Sequence, residues 1–350
     1  MRLQEDSGRG RNLYVDKFFD YSFQVLSKRI GNFSNFTSPK MQMERSTSSN
    51  QPYHIPALLT EAIDLLDIKP DGIYIDATFG GGGHSRAIIG KLGEEGHLFS
   101  FDRDMDAYEN RIDDSRFTFV HGNFRHIANF MRYFKVDKVD GILADFGVSF
   151  HHFDTPERGF SFRYDAPLDM RMNRSACKTA AQLLAEIDEK QLTEILRSYA
   201  DLKKSGNVVK AIIKAKSEKV IETTNQLIEA VKGSLDPKQE KKELAQVFQA
   251  LRIAVNHEAE DLRRFLNATL NVLKPGGRLV TLTYHSMEDR MVKNFLKTGN
   301  FEGKENKDFY GNVATHWKLI TRKPIEASEQ EVEKNPRARS ARLRCAELIN

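Results

Sequence analysis

The sequence predicts an α/β fold in which a mostly parallel β-sheet is covered by helices on both faces. From residue 54 to residue 146, short apolar strands alternate with amphipathic helices, and such alternation joins parallel strands through right-handed crossovers. A run of glycines, residues 80–83, separates the first strand from the helix that follows it. Residues 151–245 contain helical patterns and no convincing strand, which indicates a helical insertion between the fourth and fifth strands.

The elements of the first half follow from the spacing of their apolar residues. A helix is expected after Pro56, because proline suits a first helical turn and the apolar residues behind it recur at helical spacing. The next elements are expected at residues 72–75 (strand), 85–92 (helix), 97–102 (strand), 104–112 (helix), 117–120 (strand), 124–134 (helix) and 139–146 (strand).

The second half is predicted to hold the insertion and the elements that complete the sheet. Insertion helices are expected at residues 179–187, 191–199, 208–216 and 224–232. They precede a long helix at 244–273, a strand at 278–284, a helix at 287–297 and strands at 315–321 and 341–348. We expect the last two strands to form an antiparallel hairpin, which gives a seven-stranded sheet rather than a dinucleotide-binding fold.

The segment 76–85 gives the clearest functional signal. Asp76 closes an apolar strand, the glycines follow, and a helix starts near Ser85. Glycine alone takes the positive φ of a tight turn and lets a ligand approach the backbone, which favours a nucleotide-type cofactor over a plain flexible turn. Asp102 ends the next strand, where a carboxylate that binds ribose hydroxyls is expected, although it could instead cap the following helix.

Two features favour S-adenosylmethionine (SAM) over a nicotinamide dinucleotide. Asp76 stands before the glycines, where it suits an ammonium group, whereas dinucleotide loops need glycines to admit a pyrophosphate. The segment 274–280, Lys-Pro-Gly-Gly-Arg-Leu-Val, opens a late strand in the manner typical of SAM methyltransferases.

Composition and length set the class of protein and its domain organisation. The hydrophobic content of 40% supports a full core, and the net charge of +4 permits a polyanionic partner. The two cysteines lie far apart, which indicates a reducing compartment, and no segment resembles a membrane span or secretory signal, so we expect a cytoplasmic protein. The predicted parts are a poorly ordered extension (1–50), a SAM-binding domain (51–150 and 246–350) and an inserted helical substrate-recognition domain (151–245).

Several unusual motifs occur in a fixed order from about residue 53 to the carboxyl terminus. They occupy residues 54–56, 76–85, 102–104, 145–149, 158–162, 168–172, 248–253, 285–290 and 335–340. On these motifs the chain resembles the bacterial family of small-subunit (16S) ribosomal RNA cytosine N4-methyltransferases. The resemblance implies the Rossmann-like, seven-stranded fold of a SAM-dependent methyltransferase. It also implies that the substrate is a cytidine in the decoding centre of 16S ribosomal RNA, within the small ribosomal subunit.

The resemblance also implies a set of residues that contact the cofactor. They are Gly82, Gly83 and His84 in the loop, Asp102 at the ribose, Phe124 beside the adenine, Asp145 at the fourth strand end, and His152. The family usually has glutamine at position 152, and a histidine keeps one hydrogen bond but not the paired donor and acceptor of an amide. A loop histidine that faces solvent is the alternative at this position.

Methyl transfer to an exocyclic amine requires an acceptor for the amine N–H groups, since the nitrogen lone pair is delocalised into the ring. Asp145 lies where amino-methyltransferases keep such an acceptor, although it could bind only the cofactor. His285 is the second catalytic candidate, for contact with the base or a phosphate, because capping of the next helix requires Ser286 and Asp289 but not His285.

Arginines and aromatic residues outside the cofactor loop are candidates for RNA contact. Arg158, Phe160 and Arg171 offer guanidinium groups and a ring that suit phosphate and an extruded base, although Phe160 also fits a core. Arg337 and Arg339 belong to a basic carboxyl-terminal segment that suits an RNA backbone, or that keeps an edge strand soluble. No metal is expected, because no cluster of ligand residues shows metal-binding spacing.

Two other functions are compatible with parts of the sequence. SAM-dependent methylation of an amine in DNA or protein would use the same fold and loop, and only the family motifs oppose it. A noncatalytic RNA-binding assembly factor could keep the fold as a scaffold, but the intact glycine loop, Asp102 and Asp145 oppose lost catalysis.

Overall fold

The computed structural model describes residues 56–146, 156–173, 178–307, 309, 311 and 313–349. The predicted extension, residues 1–50, lies outside these ranges, and so does His152. Among the residues that the structure describes, no helix is both long enough and apolar enough to span a membrane.

The sheet strands and helices have the following bounds, in chain order. They are α1 (Leu59–Leu66), β1 (Ile73–Asp76), α2 (Gly83–Ile89), β2 (His97–Asp102), β3 (Phe117–His121), α3 (Ile127–Tyr133), β4 (Val139–Asp145), α4 (Ala180–Glu186), α5 (Glu189–Tyr199), α6 (Ser205–Glu218), α7 (Thr224–Lys232), α8 (Glu240–Asn256), α9 (Glu258–Val272), β5 (Leu273–Thr283), α10 (Ser286–Thr298), β6 (Trp317–Leu319), β7 (Ile325–Glu326), α11 (Glu329–Lys334) and β8 (Arg342–Leu348). Short 3-10 helices cover Met105–Asn110, Phe124–His126, Pro156–Arg158 and Pro336–Ser340.

The sheet has the order β3-β2-β1-β4-β5-β8-β6. The strands from β3 to β5 pair in parallel, whereas β8 is antiparallel to β5 on one side and to β6 on the other. This path contains the seven predicted strands and the predicted antiparallel closure, so the fold class is confirmed. The two-residue β7, which also pairs with β8, adds an eighth strand that the sequence did not reveal.

Alternating residues of the strands pack against helices on opposite faces of the sheet. In β1, Ile75 belongs to the hydrophobic cluster that includes residues of α3, α9 and α10, whereas its neighbour Tyr74 belongs to the cluster with α1 and α2. The side chains of Tyr74 and Ile75 are both almost fully buried. Because successive side chains of a strand point to opposite faces, both faces of the sheet must be covered. The sheet is therefore the middle layer of a three-layer domain.

The helices between β4 and β5 form a hydrophobic cluster of their own. It includes Leu184, Leu192, Val209 and Leu227 from α4 to α7, and it extends into α8 through Phe248. Capping boxes start α4, α5 and α7, so the sequence itself sets where these helices begin. The four predicted insertion helices are thus observed, whereas their role in substrate recognition stays a prediction.

The predicted long helix at 244–273 is wrong, because two helices occupy this segment. Helices α8 and α9 are separated by His257, whose φ of 54° is left-handed. No proline or glycine marks this break in the sequence, so the spacing of apolar residues predicted one continuous helix.

The predicted helix at 104–112 is also wrong, because this segment contains only the 3-10 helix Met105–Asn110.

Gly159 is expected to be essential for the segment that precedes the insertion helices. Its φ is +67°, and a Cβ placed there would lie 2.2 Å from the carbonyl oxygen of Pro167. We therefore expect Gly159→Ala to lower the free energy of unfolding by about 2 kcal/mol or more in urea titrations. Gly206→Ala is the control, because that helical position has open space; an equal loss in both variants would contradict the prediction.

Candidate functional site

The carboxyl ends of three adjacent parallel strands bring the predicted cofactor residues together. Asp76, Asp102 and Asp145 end β1, β2 and β4, and these strands are neighbours in the sheet. Ligands of open α/β sheets bind at this edge. The structure therefore gathers the glycine loop and two of the predicted carboxylates in one place.

The glycine loop between β1 and α2 needs glycine at specific positions. Gly82 has a φ of +75°, and a Cβ there would lie 2.6 Å from Arg86 Nη1. A Cβ on Gly83 would lie 2.2 Å from Pro56 Cγ, whereas one on Gly80, with a φ of +51°, would meet nothing within 4 Å. The loop thus packs tightly at Gly82 and Gly83 and is open at Gly80.

Asp76 has a structural role that differs from its predicted contact with an ammonium group. The residue is fully buried, and its carboxylate accepts hydrogen bonds from the Thr78 backbone N–H at 3.0 Å and from Ser85 Oγ at 2.6 Å. Burial raises the pKa of the Asp76 carboxyl, an effect that the nearby His84 opposes. With no accessible surface, Asp76 shapes the loop, and its contact with an ammonium group stays a prediction.

Asp102 joins the end of β2 to the glycine loop. Its two carboxylate oxygens accept the backbone N–H groups of Gly80 and Asp104, each at 2.8 Å. Burial raises the pKa of the Asp102 carboxyl, and these two hydrogen bonds oppose the rise. Each carboxylate oxygen can accept a further hydrogen bond, so Asp102 can still bind ribose hydroxyls as predicted.

His84 has an unsatisfied polar atom beside the loop. The residue is 5% exposed, and within the described part of the chain its Nε2 has no hydrogen-bond partner. Its Nδ1 lies 3.9 Å from Asp145 Oδ2. Because an unsatisfied buried polar atom is costly, a ligand that supplies a partner for Nε2 would be stabilised here.

Asp145 is held by two hydrogen bonds at the end of β4, one to its backbone and one to its carboxylate. Its backbone N–H donates to Thr78 Oγ1 at 2.6 Å, and its carboxylate accepts a hydrogen bond from the phenol of Tyr284. Burial and the Asp145 charge raise the pKa of Tyr284 far above its usual range, so the phenol stays protonated as the donor. Tyr284 is a site residue that sequence reasoning missed; its position directly after β5, the neighbour of β4, was the available signal.

Phe124, the predicted adenine neighbour, is oriented by an aromatic cluster and by a buried carboxylate. Its ring packs edge-on against Phe265 at 5.3 Å and Phe146 at 5.8 Å. On either side of Phe124 in the chain, Asn123 Nδ2 and Arg125 Nη1 donate to Asp261 at 2.6 and 2.9 Å. Asp261 is 2% exposed and was not predicted, because it lies on α9, far away in sequence.

The predicted RNA contacts near the insertion are largely internal. Arg158 is 6% exposed, and its guanidinium donates to the backbone carbonyls of Arg171 and Met172. Phe160 is also buried, which favours its core alternative, and the predicted contact of Arg158 or Phe160 with RNA stays a prediction. Arg171 forms an ion pair with Asp169 at 2.7 Å and keeps about a fifth of its side chain exposed, 22%.

The basic carboxyl-terminal segment divides into internal and external arginines. Arg344 is buried and donates to both carboxylate oxygens of Asp289, so it stabilises the β8 and α10 contact. Arg339 is exposed and Arg337 is half-buried on the 3-10 helix Pro336–Ser340. Arg342 is also exposed but pairs with Asp289 and Glu326, so Arg337 and Arg339 are the arginines whose position best suits an RNA backbone.

His285, the second catalytic candidate, lies against carboxylates rather than in an open cleft. Its side chain is 10% exposed, and its Nε2 is 2.8 Å from Glu288 Oε1. Glu258, from the start of α9, completes a group whose donor atoms lie within 4.8 Å of one another. Direct contact of this ring with a base or phosphate would require it to move, so the predicted role of His285 stays a prediction.

A family model described as the MraW methylase family matches residues 51–349. The chain belongs to this family. The ribosomal RNA small subunit methyltransferase H of Phocaeicola vulgatus is 55% identical over 301 residues, which are 86% of this chain and 99% of that protein. The protein of the same name from Christiangramia forsetii is 49% identical, over 85% of this chain and 98% of its own. A putative rRNA-methylase structure from Clostridium thermocellum is 13% identical with a TM-score of 0.40, and covers 85% of this chain and 100% of its own.

This MraW methylase is a methyltransferase whose cofactor is SAM, as predicted. The described site fits that cofactor in three respects: an open loop position at Gly80, free acceptor capacity on Asp102, and the unsatisfied Nε2 of His84. His152, the remaining predicted contact, lies outside the described residues.

We expect SAM affinity to fall as the pH is lowered, because protonated Asp102 loses acceptor capacity toward ribose hydroxyls. Burial keeps the pKa of Asp102 above its ordinary value, so the loss should begin at a higher pH than for an exposed aspartate. Calorimetric titrations with SAM between pH 8 and pH 5 measure this change. In Asp102→Asn, affinity should be weaker and its pH dependence smaller; equal slopes in both proteins would contradict the assignment.

Asp261 should position Phe124 for the cofactor. Asn123 and Arg125 both donate to the Asp261 carboxylate, and Asp261→Ala removes this shared acceptor. We therefore expect Asp261→Ala to weaken SAM binding about tenfold, which corresponds to roughly 1.4 kcal/mol. The KM for SAM should rise more than kcat falls at saturating SAM. Glu260→Ala is the matched control, because Glu260 is exposed and pairs only with Arg264 in the described contacts. A lower melting temperature without a change in KM would leave Asp261 a purely structural residue.

Proposed function

We propose that this MraW methylase transfers the methyl group of SAM to N4 of a cytidine in the decoding centre of 16S ribosomal RNA. The main structural support is the Asp145 carboxylate, which lies at the cofactor edge beside His84 and accepts a hydrogen bond from Tyr284, while Thr78 Oγ1 accepts the Asp145 backbone N–H. The names of the relatives, ribosomal RNA small subunit methyltransferase H, support a ribosomal RNA substrate. The family motifs, including Asp145-Phe146-Gly147-Val148-Ser149, support the cytosine amine as acceptor.

Bound SAM supplies an activated methyl group on a sulfonium. The protein then has to align the amine behind that methyl and exclude water. Asp145 would accept an N–H of the cytosine amine, which favours a tetrahedral nitrogen and stabilises the positive charge that develops during transfer. After transfer the same carboxylate can accept the proton that the nitrogen loses. Tyr284 keeps the carboxylate in place and remains protonated throughout.

Recognition of the RNA is assigned to surfaces outside the cofactor edge. We propose that the helical insertion between β4 and β5 and the exposed Arg339 contact RNA of the small ribosomal subunit. Arg171 and Arg337 retain part of their surface and are further candidates, whereas the buried Arg158 and Phe160 would reach RNA only after a rearrangement. A ribosomal substrate also implies that the enzyme acts in the cytoplasm.

Asp145→Asn is expected to lower kcat about a hundredfold, the usual loss when one preorganised polar group is removed from a transition state. The dissociation constant of SAM should change much less. Tyr284→Phe serves as the matched variant, because it keeps the carboxylate but removes the phenol that orients it, and it should lose less kcat than Asp145→Asn. If Asp145→Asn affected only SAM affinity, Asp145 would bind the cofactor and not the amine.

The substrate itself is tested by transfer of labelled methyl from SAM. The expected acceptor is the small ribosomal subunit from cells that lack this enzyme, with the label mapped by mass spectrometry to N4 of one cytidine in 16S ribosomal RNA. Label on DNA or on protein would establish the alternative methyltransferase function. Binding to the subunit without any transfer would establish a noncatalytic factor.

A further inference from the structure

Three side chains from the amino ends of two helices meet beside the end of β5. His285 precedes α10, Glu288 is in its first turn, and Glu258 is the first residue of α9. One nitrogen or oxygen from each lies within 4.8 Å of the other two. The three side chains are 10%, 5% and 11% exposed, so this nitrogen and oxygen donor set is shielded from solvent.

The imidazole of His285 lacks ordinary partners in this group. Among the described residues, neither ring nitrogen has a hydrogen-bond partner. Nε2 nevertheless lies 2.8 Å from Glu288 Oε1, but without the alignment of a hydrogen bond. The ring is therefore buried beside a carboxylate without a hydrogen bond that satisfies either nitrogen.

The charges of the group are also unbalanced. Glu258 forms a bidentate ion pair with Arg252, with both contacts at 2.9 Å, and the Arg252 side chain is 10% exposed. Within the described part of the chain, Glu288 accepts the backbone N–H of Tyr284 at 3.1 Å and has no other contact of this kind besides that with His285. With neutral imidazole, two carboxylates and one guanidinium leave one excess negative charge. The amino ends of α9 and α10 add partial positive charge but donate nothing to the imidazole.

We propose that Glu258, His285 and Glu288 bind a divalent cation with the ligand preference of Zn²⁺. Imidazole nitrogen and glutamate oxygen are both zinc ligands, and three protein ligands leave one tetrahedral position for an oxygen ligand from outside the chain. Arg252 then orients the Glu258 carboxylate, as hydrogen-bonded neighbours of ligating carboxylates commonly do. The site goes beyond the proposed function and does not depend on it. It also revises the expectation of no metal, which considered only ligands close together in sequence.

A protonated His285 between the two glutamates is the competing explanation. It would balance the charge equally well and would give the ring a donor at each nitrogen. A bound metal would displace that proton, because a metal ligand must be deprotonated. The amount of Zn²⁺ that the full chain binds therefore tests the cation site directly.

The test is calorimetric titration of the chelator-treated full-length protein with ZnCl₂, with metal content measured after dialysis. We expect one Zn²⁺ per chain and a higher melting temperature with Zn²⁺. Both effects should be lost, with affinity at least about tenfold weaker, in His285→Ala and in Glu288→Gln. Glu288→Gln keeps an acceptor for the Tyr284 N–H, so it is the variant that best preserves the fold.

The controls are Glu260→Gln and His316→Ala, which change an exposed glutamate beside Glu258 and an exposed histidine elsewhere. Both should keep the zinc and the shift in melting temperature. The proposal is overturned if the wild-type protein binds no Zn²⁺, if His285→Ala binds it as tightly as wild type, or if His316→Ala loses it to the same extent. Circular dichroism of each variant checks that the loss of metal is not a loss of fold.

Discussion

The cofactor edge depends on two strand-end carboxylates that accept hydrogen bonds from the loop between them. Asp76 binds the backbone of Thr78 and the hydroxyl of Ser85, and Asp102 binds the backbone of Gly80. Hydrogen bonds to charged groups contribute about 1.5–3 kcal/mol each, so these contacts hold open a loop that has few side chains of its own. The price is desolvation, which raises the pKa of both aspartates. A preorganised loop needs little rearrangement when a ligand binds.

Tyr284 connects the proposed acceptor site to the proposed cation site. Its phenol donates to Asp145, and its backbone N–H donates to Glu288, so a single residue after β5 contacts both groups. This arrangement is possible because β4 and β5 are adjacent, with Asp145 opposite Leu282 in the register. The proposed amine acceptor and the proposed cation site are therefore joined through one residue.

The sequence predicted what depends on local pattern and missed what depends on distant contacts. Alternating apolar segments located the strands, and the glycine run with Asp102 located the cofactor edge, because turn chemistry and strand order are local properties. The break at His257 has no proline or glycine signal and is imposed by packing. Asp261 and Glu258 lie on another helix, so no spacing could join them to Phe124 or His285. The internal hydrogen bonds of Arg158 could not be predicted, because a guanidinium that binds backbone carbonyls has the same sequence signature as one that binds phosphate.

The segment before the insertion helices explains how recognition and cofactor binding can be linked. Asn256, at the end of α8, accepts from the Met172 N–H and donates to the Met170 carbonyl, and Arg158 binds the carbonyls of residues 171 and 172. Met172 also contacts the guanidinium of Arg103, which follows Asp102. A motif that is hydrogen-bonded to α8 on one side thus touches, on the other, the residue that follows Asp102. If the insertion binds RNA as proposed, strain in this close-packed segment would reach Arg103.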